Sequence, residues 1–390
     1  MKPNVLARLY RIAQALFLGW TLALTGGCQF NDNSPVMATG VSSDGRYVIT
    51  THREGEVRLC DLEVKSCHQV SDHGNAYSAY FIPDGHWFLW QNLDNTVHVQ
   101  NPSDEERMSF NHAPVYGHVM SADMSTYVSA DYDYVVRVRR QEQTQVLKHD
   151  GGSFPGYGKV LNLALSGEGR MLLSSGSSSP HADTHWPIDE QEEVGYRDLR
   201  GPTLWSLDTL EPIAKLPGNV SKTHATISPD GKWVVSGDEN GNVLVWPTAD
   251  PTDEQVILGA SFHHGVLDWR SDLPRGHPDR WDKSKLIPAP DDATETNVAI
   301  KFIHNSQYYL RFGYRSHTAA LFEVDNPWPI KYFDLGDDPF PATADYSRNL
   351  AIDTAPKANI LVMGQRDGGG ILVYRFDPDE LTLERVWVGG

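Results

Sequence analysis

One pattern recurs along the chain and restricts it to few architectures. The stretches "GVSSDGRYVITTHREGEVRLCDL" from Gly40, "AYFIPDGHWFLWQNLDNTVHVQNP" from Ala79 and "ATISPDGKWVVSGDENGNVLVWPT" from Ala225 share one order of features. Each runs through an apolar alternation, an Asp-Gly turn, a β-rich run, a polar turn with Asn or Gly, and a third alternation ending near an aromatic. An apolar/polar period of two marks strands rather than helices. A fourth β-rich segment follows each unit: "KSCHQV", "RMSFN" and "EQVILG". About 360 residues lie beyond the apolar N-terminus, too many for one simple core by the usual ~250 to 300 limit unless the chain is a repeat or a barrel.

These units resemble the blades of WD-repeat β-propellers. The pattern is fullest in "SPDGKWVVSGDENGNVLVW" from Ser228, where Trp246 takes the tryptophan position and Pro247 replaces the Asp that follows it. Trp205-Ser206 is a near match, and Cys60-Asp61 keeps only the Asp. His73 and His112 fall where the family places a histidine upstream of the turn, and the resemblance implies that they brace a blade through hydrogen bonds. Weaker copies complete the ring, with turn-bearing positions at Asp44, Asp84, Asp123, Glu168, Asp230, Asn305 and Lys357. The first four keep the ~40 to 45 residue spacing of one blade, and the longer later intervals hold insertions. The resemblance therefore implies an all-β fold, a single β-propeller of seven blades with four antiparallel strands each, a count favoured over six or eight. "LTLERVWVGG" supplies the outer strand of the last blade. Ring closure then rests on side-chain packing, unless residues 30 to 36 add a strand there.

The N-terminus reads as an export signal. Lys2, Arg8 and Arg11 precede the apolar run Ile12 to Leu24, which is short of the ~18 to 20 residues of a spanning helix. Thr25-Gly26-Gly27-Cys28 is similar to the lipobox of bacterial lipoproteins. That resemblance implies acylation of Cys28, and Gln29 after it implies sorting to the outer membrane. The expected organisation is a signal peptide over 1–27, a lipid-anchored tether over 28–36 and the propeller over 37–390. Cleavage removes three cations and no anion, taking the formal net charge from −18 to −21. So strong an anion repels nucleic acid and phospholipid headgroups, which leaves membrane attachment to the lipid. Cys60 and Cys67 sit across an apparent hairpin, "RLCDLEVKSCHQ", either as a cross-strand disulfide of an oxidising compartment or as two free, half-buried thiols.

Two insertions carry what function is legible. One, over 177–200, interrupts the link between the second and third strands of blade four; the other, over 261–296, joins blade five to blade six. Because strands alternate in direction, both kinds of connection emerge on one face of the disc. Long loops of this kind are functional or disordered. Trp186, Trp269 and Trp281 argue against disorder, and with Arg270, Arg275 and Arg280 they form a candidate partner-binding set, tryptophan and arginine being dominant hot-spot residues. The alternative is that these side chains fold the loops back onto the propeller.

His181, Asp183 and His185 form an H-x-D-x-H run, and His263, His264, His277 and Asp279 lie in the second insertion, so the two loops together hold donors suited to zinc. No spaced metal motif, serine-nucleophile elbow, phosphate-binding glycine loop or dinucleotide fingerprint is present. The expected function is a non-catalytic, lipid-anchored binding platform, without a cofactor, that contacts other envelope proteins. The competing expectation is an enzyme or metal-dependent ligand binder using the histidine loops. A sensor of a small ligand in the central channel has no residue signature in the sequence.

Overall fold

Val, Ile, Leu, Tyr, Phe and Trp crowd short segments bounded by Gly, Pro, Asn and Asp, and each such segment forms a strand, where branched and aromatic side chains have room. The computed structural model describes residues 34–71, 76, 78–83, 85–92, 94–103, 105–112, 117–130, 135–148, 159–177, 202–216, 223–238, 243–251, 257–259, 297–313, 318–326, 329–336, 351–365 and 369–389. The chain divides into Met1–Asn33 and Ser34–Gly390, and every described residue belongs to the second unit.

That unit is a seven-bladed β-propeller. Blade 1 holds β1 (Val36–Val41), β2 (Tyr47–His52), β3 (Val57–Asp61) and β4 (Ser66–Ser71). Blade 2 holds β5 (Ser78–Phe81), β6 (Phe88–Gln91), β7 (Thr96–Gln100) and β8 (Glu106–Asn111). Blade 3 holds β9 (Gly117–Met120), β10 (Thr126–Ala130), β11 (Val135–Arg140) and β12 (Gln143–Lys148). Blade 4 holds β13 (Lys159–Leu165), β14 (Met171–Ser177), β15 (Thr203–Ser206) and β16 (Pro212–Lys215). Blade 5 holds β17 (Thr223–Ile227), β18 (Trp233–Asp238), β19 (Val243–Pro247) and β20 (Ile257–Gly259). Blade 6 holds β21 (Asn297–His304), β22 (Tyr308–Gly313), β23 (Thr318–Glu323) and β24 (Pro329–Asp334). Blade 7 holds β25 (Ile352–Ala355), β26 (Ile360–Gly364), β27 (Ile371–Asp377) and β28 (Thr382–Gly389). Each sheet is a consecutive antiparallel meander. The first strand of every blade is innermost and neighbours the first strands on either side, with β25 meeting β1 to close the ring.

Position within a blade dictates composition. Middle strands are covered on both faces by neighbouring blades, so they read as continuous apolar runs rather than alternations. β26 is buried along its whole length, and so is "VLVW" of β19. The outermost strands β4 and β28 hold no fully buried residue, half of each being exposed and the rest half-buried. Seven clusters of buried apolar side chains result, one between each pair of neighbouring blades.

The turn after the first strand has its own hydrogen-bond logic. In blades 1, 3 and 5 the hydroxyls of Ser42, Ser121 and Ser228 donate to Asp44, Asp123 and Asp230 at 2.6 Å. The same hydroxyl oxygens accept the backbone N–H of Tyr47, Thr126 and Trp233 at 2.8, 3.0 and 3.0 Å. Each carboxylate also accepts the backbone N–H two residues on, at Arg46, Ser125 and Lys232. Side-chain oxygens thus satisfy amides that the turn would otherwise leave unpaired. In blade 4, where Glu168 stands at the Asp position, the Ser166 hydroxyl still accepts the Met171 N–H.

Among the described residues no blade is shared between the two ends of the chain. Blade 7 is β25–β28 alone, and Ser34, Pro35 and Val36 belong to blade 1. The carbonyl of Ser34 accepts from His52, that of Pro35 accepts the Arg53 N–H, and Val36 begins β1. The propeller therefore starts by Ser34, earlier than the boundary at 37, because these three residues have specific backbone partners in the fold. The seam between blades 7 and 1 is closed by Val41, Val48 and Cys60 packed on Ile360, Val362 and Val373. Hydrogen bonds cross it from Val36 N–H to the Gln365 carbonyl at 3.2 Å and from Val41 N–H to Asp353 Oδ2 at 3.0 Å.

Gly45 shows how close the seam is. Its φ is +72°, and a Cβ there would lie 2.6 Å from the Ala358 Cβ and 2.9 Å from Ile360 Cγ1 across the seam. Left-handed backbone alone costs a residue with a Cβ about 1–2 kcal/mol, and the overlap adds to it. Gly45→Ala is expected to destabilise the protein by at least about 2 kcal/mol in equilibrium denaturation. Gly85→Ala, whose added Cβ meets nothing nearer than 3.7 Å, serves as the mild comparison.

Candidate functional site

Strand direction sorts the connections onto two faces. The links from first to second and from third to fourth strands lie on one, the turn face. Those from second to third strands and from blade to blade lie on the other. The first insertion starts at the last residue of β14 and runs toward β15, and the second falls between β20 and β21, so the described strands leading into both insertions end on this second face. Trp186, Trp269, Arg270, Arg275, Arg280 and Trp281 lie outside the described residues, as do His181, Asp183, His185, His263, His264, His277, Asp279, His73 and Cys28. Among the described residues no three His, Cys, Asp or Glu side chains converge to hold a metal ion.

Cys60 and Cys67 face each other on β3 and β4 and are bonded, with an S–S distance of 2.00 Å. Cys60 is buried, and Cys67 packs on the same cluster that closes the seam. The bond therefore fixes the outer half of blade 1 where it meets blade 7.

Three of the described histidines brace strands. His112 Nε2 is 2.6 Å from Ser129 Oγ on β10. Burial, with Arg137 and Arg139 nearby, pushes its pKa down to about 4. His52 must donate from Nδ1 to the Ser34 carbonyl at 3.1 Å, so its Nε2 accepts from Thr50 Oγ1 at 2.9 Å. Burial and then Arg58 lower it to about 4. His118, buried beside Tyr127, is lowered by burial and then by His112 to about 3. Trp205 Nε1 donates to Ser174 Oγ at 2.8 Å on the neighbouring strand, the same bracing by another side chain.

The centre of the ring is a cavity of about 260 Å³ lined by the innermost strands and reaching the turn face beside Pro83, Pro229 and Pro356. Its wall mixes apolar and polar residues around the whole ring, with Ser43, Tyr80 and Val119 from blades 1 to 3 and Leu163, Ile227 and Ile300 beside Asn162, His224, Lys301 and Asp353 from blades 4 to 7. Lys301 Nζ lies 3.0 Å from Asp353 Oδ1, both side chains partly exposed to the channel. Asp353 Oδ2 accepts the Val41 N–H, so one carboxylate links blades 6, 7 and 1. On the far side the Asn162 amide donates to the Ala225 carbonyl, joining blades 4 and 5.

Sequence reasoning passed over Lys301 and Asp353, although a signal existed. Each sits four residues before its blade's turn-bearing position, where the other blades have Gly40, Tyr80, Val119, Ala164 and Thr226. Two charges at a site otherwise small, apolar or neutral mark a departure that an alignment of the seven units exposes.

Residues 210–247 match the family described as WD domain, G-beta repeat. The match runs from the turn before β16 to the end of β19, so it spans the outer strand of blade 4 and three strands of blade 5. No curated protein matches the chain. Among solved structures it is similar to the Cps50 (Swd1) β-propeller domain of Myceliophteria thermophila, with 13% identity and a TM-score of 0.59, over 87% of this chain and 96% of that one. At that identity the likeness is one of fold.

The buried histidines generate a pH dependence with a definite sign. With folded pKa values near 4, 4 and 3 against an unfolded value near 6.5, the unfolded chain binds more protons between those limits. Stability is expected to fall as pH drops below about 6.5. A second loss follows below about 4. There Asp123, held under the usual carboxylate range by the Ser121 hydroxyl and the Ser125 N–H, becomes protonated. Denaturation midpoints between pH 7.5 and 3.5 test this, and His112→Gln should flatten the upper part of the profile.

Proposed function

We propose that this chain is a non-catalytic binding platform of the cell envelope, anchored by lipid on Cys28 and meeting protein partners with the face that carries the two insertions. The observation that carries the reading is the convergence on that face. β1 begins there, so the chain enters the propeller at Ser34 on the same side as the strands flanking 177–200 and 261–296. Cys28 lies six positions earlier, and six extended residues span at most about 20 Å. An anchor so near would turn the insertion face toward the bilayer, where partners are themselves membrane-held. Trp186, Trp269 and Trp281, with Arg270, Arg275 and Arg280, supply the residue types that dominate binding hot spots. The matched repeat and the propeller fold support an interaction role.

Two experiments in the native host test the proposal. Cys28→Ser should shift the protein from the membrane to the soluble fraction and abolish its acyl mass, whereas unchanged fractionation removes the anchor. Crosslinking of membranes should capture a defined neighbour with the wild type, and capture should fall at least tenfold when residues 178–200 are replaced by a short Gly-Ser linker. Undiminished capture would remove that loop from the interface.

A further inference from the structure

We propose that β12, the outer strand of blade 3, is an interaction edge that pairs antiparallel with β12 of a second copy of this chain about a two-fold axis. The outermost strand of a sheet offers a row of unpaired backbone groups, and proteins blunt such edges with bulges, prolines, charges or short length. Five of the outer strands here, β4, β8, β16, β24 and β28, have a register shift where they pair with the strand inside them. β20 is only three residues long. Among the described outer strands β12 alone keeps a regular register over six residues, from Gln143 opposite Arg140 to Lys148 opposite Val135. Its sequence QTQVLK contains no proline and no charge before the terminal Lys148, and Val146 near its centre is 50% exposed. No described strand pairs with its outer side.

The register also says which groups that edge presents. Ser121 N–H donates to the Thr126 carbonyl, so the backbone of Thr126 faces β9 and that of Tyr127 faces β11. Along a strand this direction alternates. Tyr127 stands opposite Arg139, so Arg139 faces β10, Arg140 faces β12, and Gln143 opposite it faces inward. Gln145 and Leu147 follow Gln143. Thr144, Val146 and Lys148 therefore turn their backbone N–H and C=O groups away from the blade.

These three positions fit a second copy of themselves. One two-fold register pairs all of them: Val146 opposite Val146 of the second copy, and Thr144 opposite its Lys148 at either end. Each such pair can exchange both backbone hydrogen bonds. The half-exposed valines then cover one another, and Gln145 comes opposite Leu147. No charge meets its like, which would be destabilising, and Lys148 comes beside the turn that carries Glu142, a residue of opposite sign. An isologous contact needs one patch that is complementary to itself, and β12 meets that condition in sequence as well as in backbone direction. The edge lies on the rim of the disc, so the pairing depends on neither the insertion face nor the anchor.

Cysteine crosslinking of the full-length chain tests the register. Opposite residues of this kind have Cα atoms about 5.5 Å apart, within disulfide reach. Val146→Cys is expected to give a crosslinked dimer on mild oxidation, at least tenfold more than Gln145→Cys, whose cysteine would face Leu147 of the second copy; the wild type supplies the background. Val146→Lys, which sets two cations opposite each other at an exposed position, should weaken self-association at least tenfold in sedimentation equilibrium in density-matched detergent, with an unchanged thermal midpoint. Equal crosslinking of the two cysteine variants, crosslinking of Val146→Cys to a different protein in place of a second copy, or self-association undiminished by Val146→Lys would each overturn the proposal.

Discussion

The closing contact between blades 7 and 1 is the interaction on which the rest of this structure depends. Every blade presents apolar side chains on both faces, so no blade can be an end: each needs a neighbour on either side. Six of the seven interfaces join blades that follow one another in the chain. The seventh has no such help and forms only when residues more than 300 positions apart meet. Val41, Val48 and Cys60 against Ile360, Val362 and Val373 provide its apolar area. The Val41–Asp353 hydrogen bond and the Lys301–Asp353 ion pair fix its inner rim, and the Cys60–Cys67 bond stiffens its outer part. Stability and the shape of the channel are therefore set at one place.

Much of this architecture is written locally. The Ser-x-Asp-Gly turns are legible because one hydroxyl and one carboxylate satisfy a fixed set of backbone amides, which ties the turn to a short motif. The four-strand rhythm is legible because burial on both faces makes middle strands continuously apolar, while exposure makes outer ones polar. What escapes a reading of the sequence depends on distant partners. Val36 looks like the end of a tether until its N–H is seen to reach Gln365 in the last blade. Lys301 and Asp353 look like ordinary surface charges in an alternating strand, because nothing local reveals that strands from two blades bring them together over a channel. The tryptophans and histidines of the insertions are visible as residue types alone, since the repeat that predicts the blades carries no information about loops that interrupt it.

The two faces divide the chemistry. On the turn face the turns of blades 1, 3 and 5 are filled by their own side-chain hydrogen bonds, and the channel opens beside them. The opposite face gathers every blade-to-blade connection and the sequence least constrained by the repeat. Three histidines, which elsewhere suggest chemistry, serve the scaffold here: His52 and His118 are buried, His112 is half-buried, and all three are bonded or packed to neighbouring strands.

The seam has a topological consequence. Because each blade is made from consecutive strands and, among the described residues, none is completed by the opposite end of the chain, the order of blades around the ring does not depend on which blade comes first in the sequence. A circular permutant, joined across the seam and opened between any other two blades, would contain the same seven sheets and the same seven interfaces. Here β1 begins, and β28 ends, on one side of the disc, the side from which one blade passes to the next elsewhere in the ring. Among the described residues the seam is thus a packed junction of two separate sheets, as the other six are, without a peptide link across it.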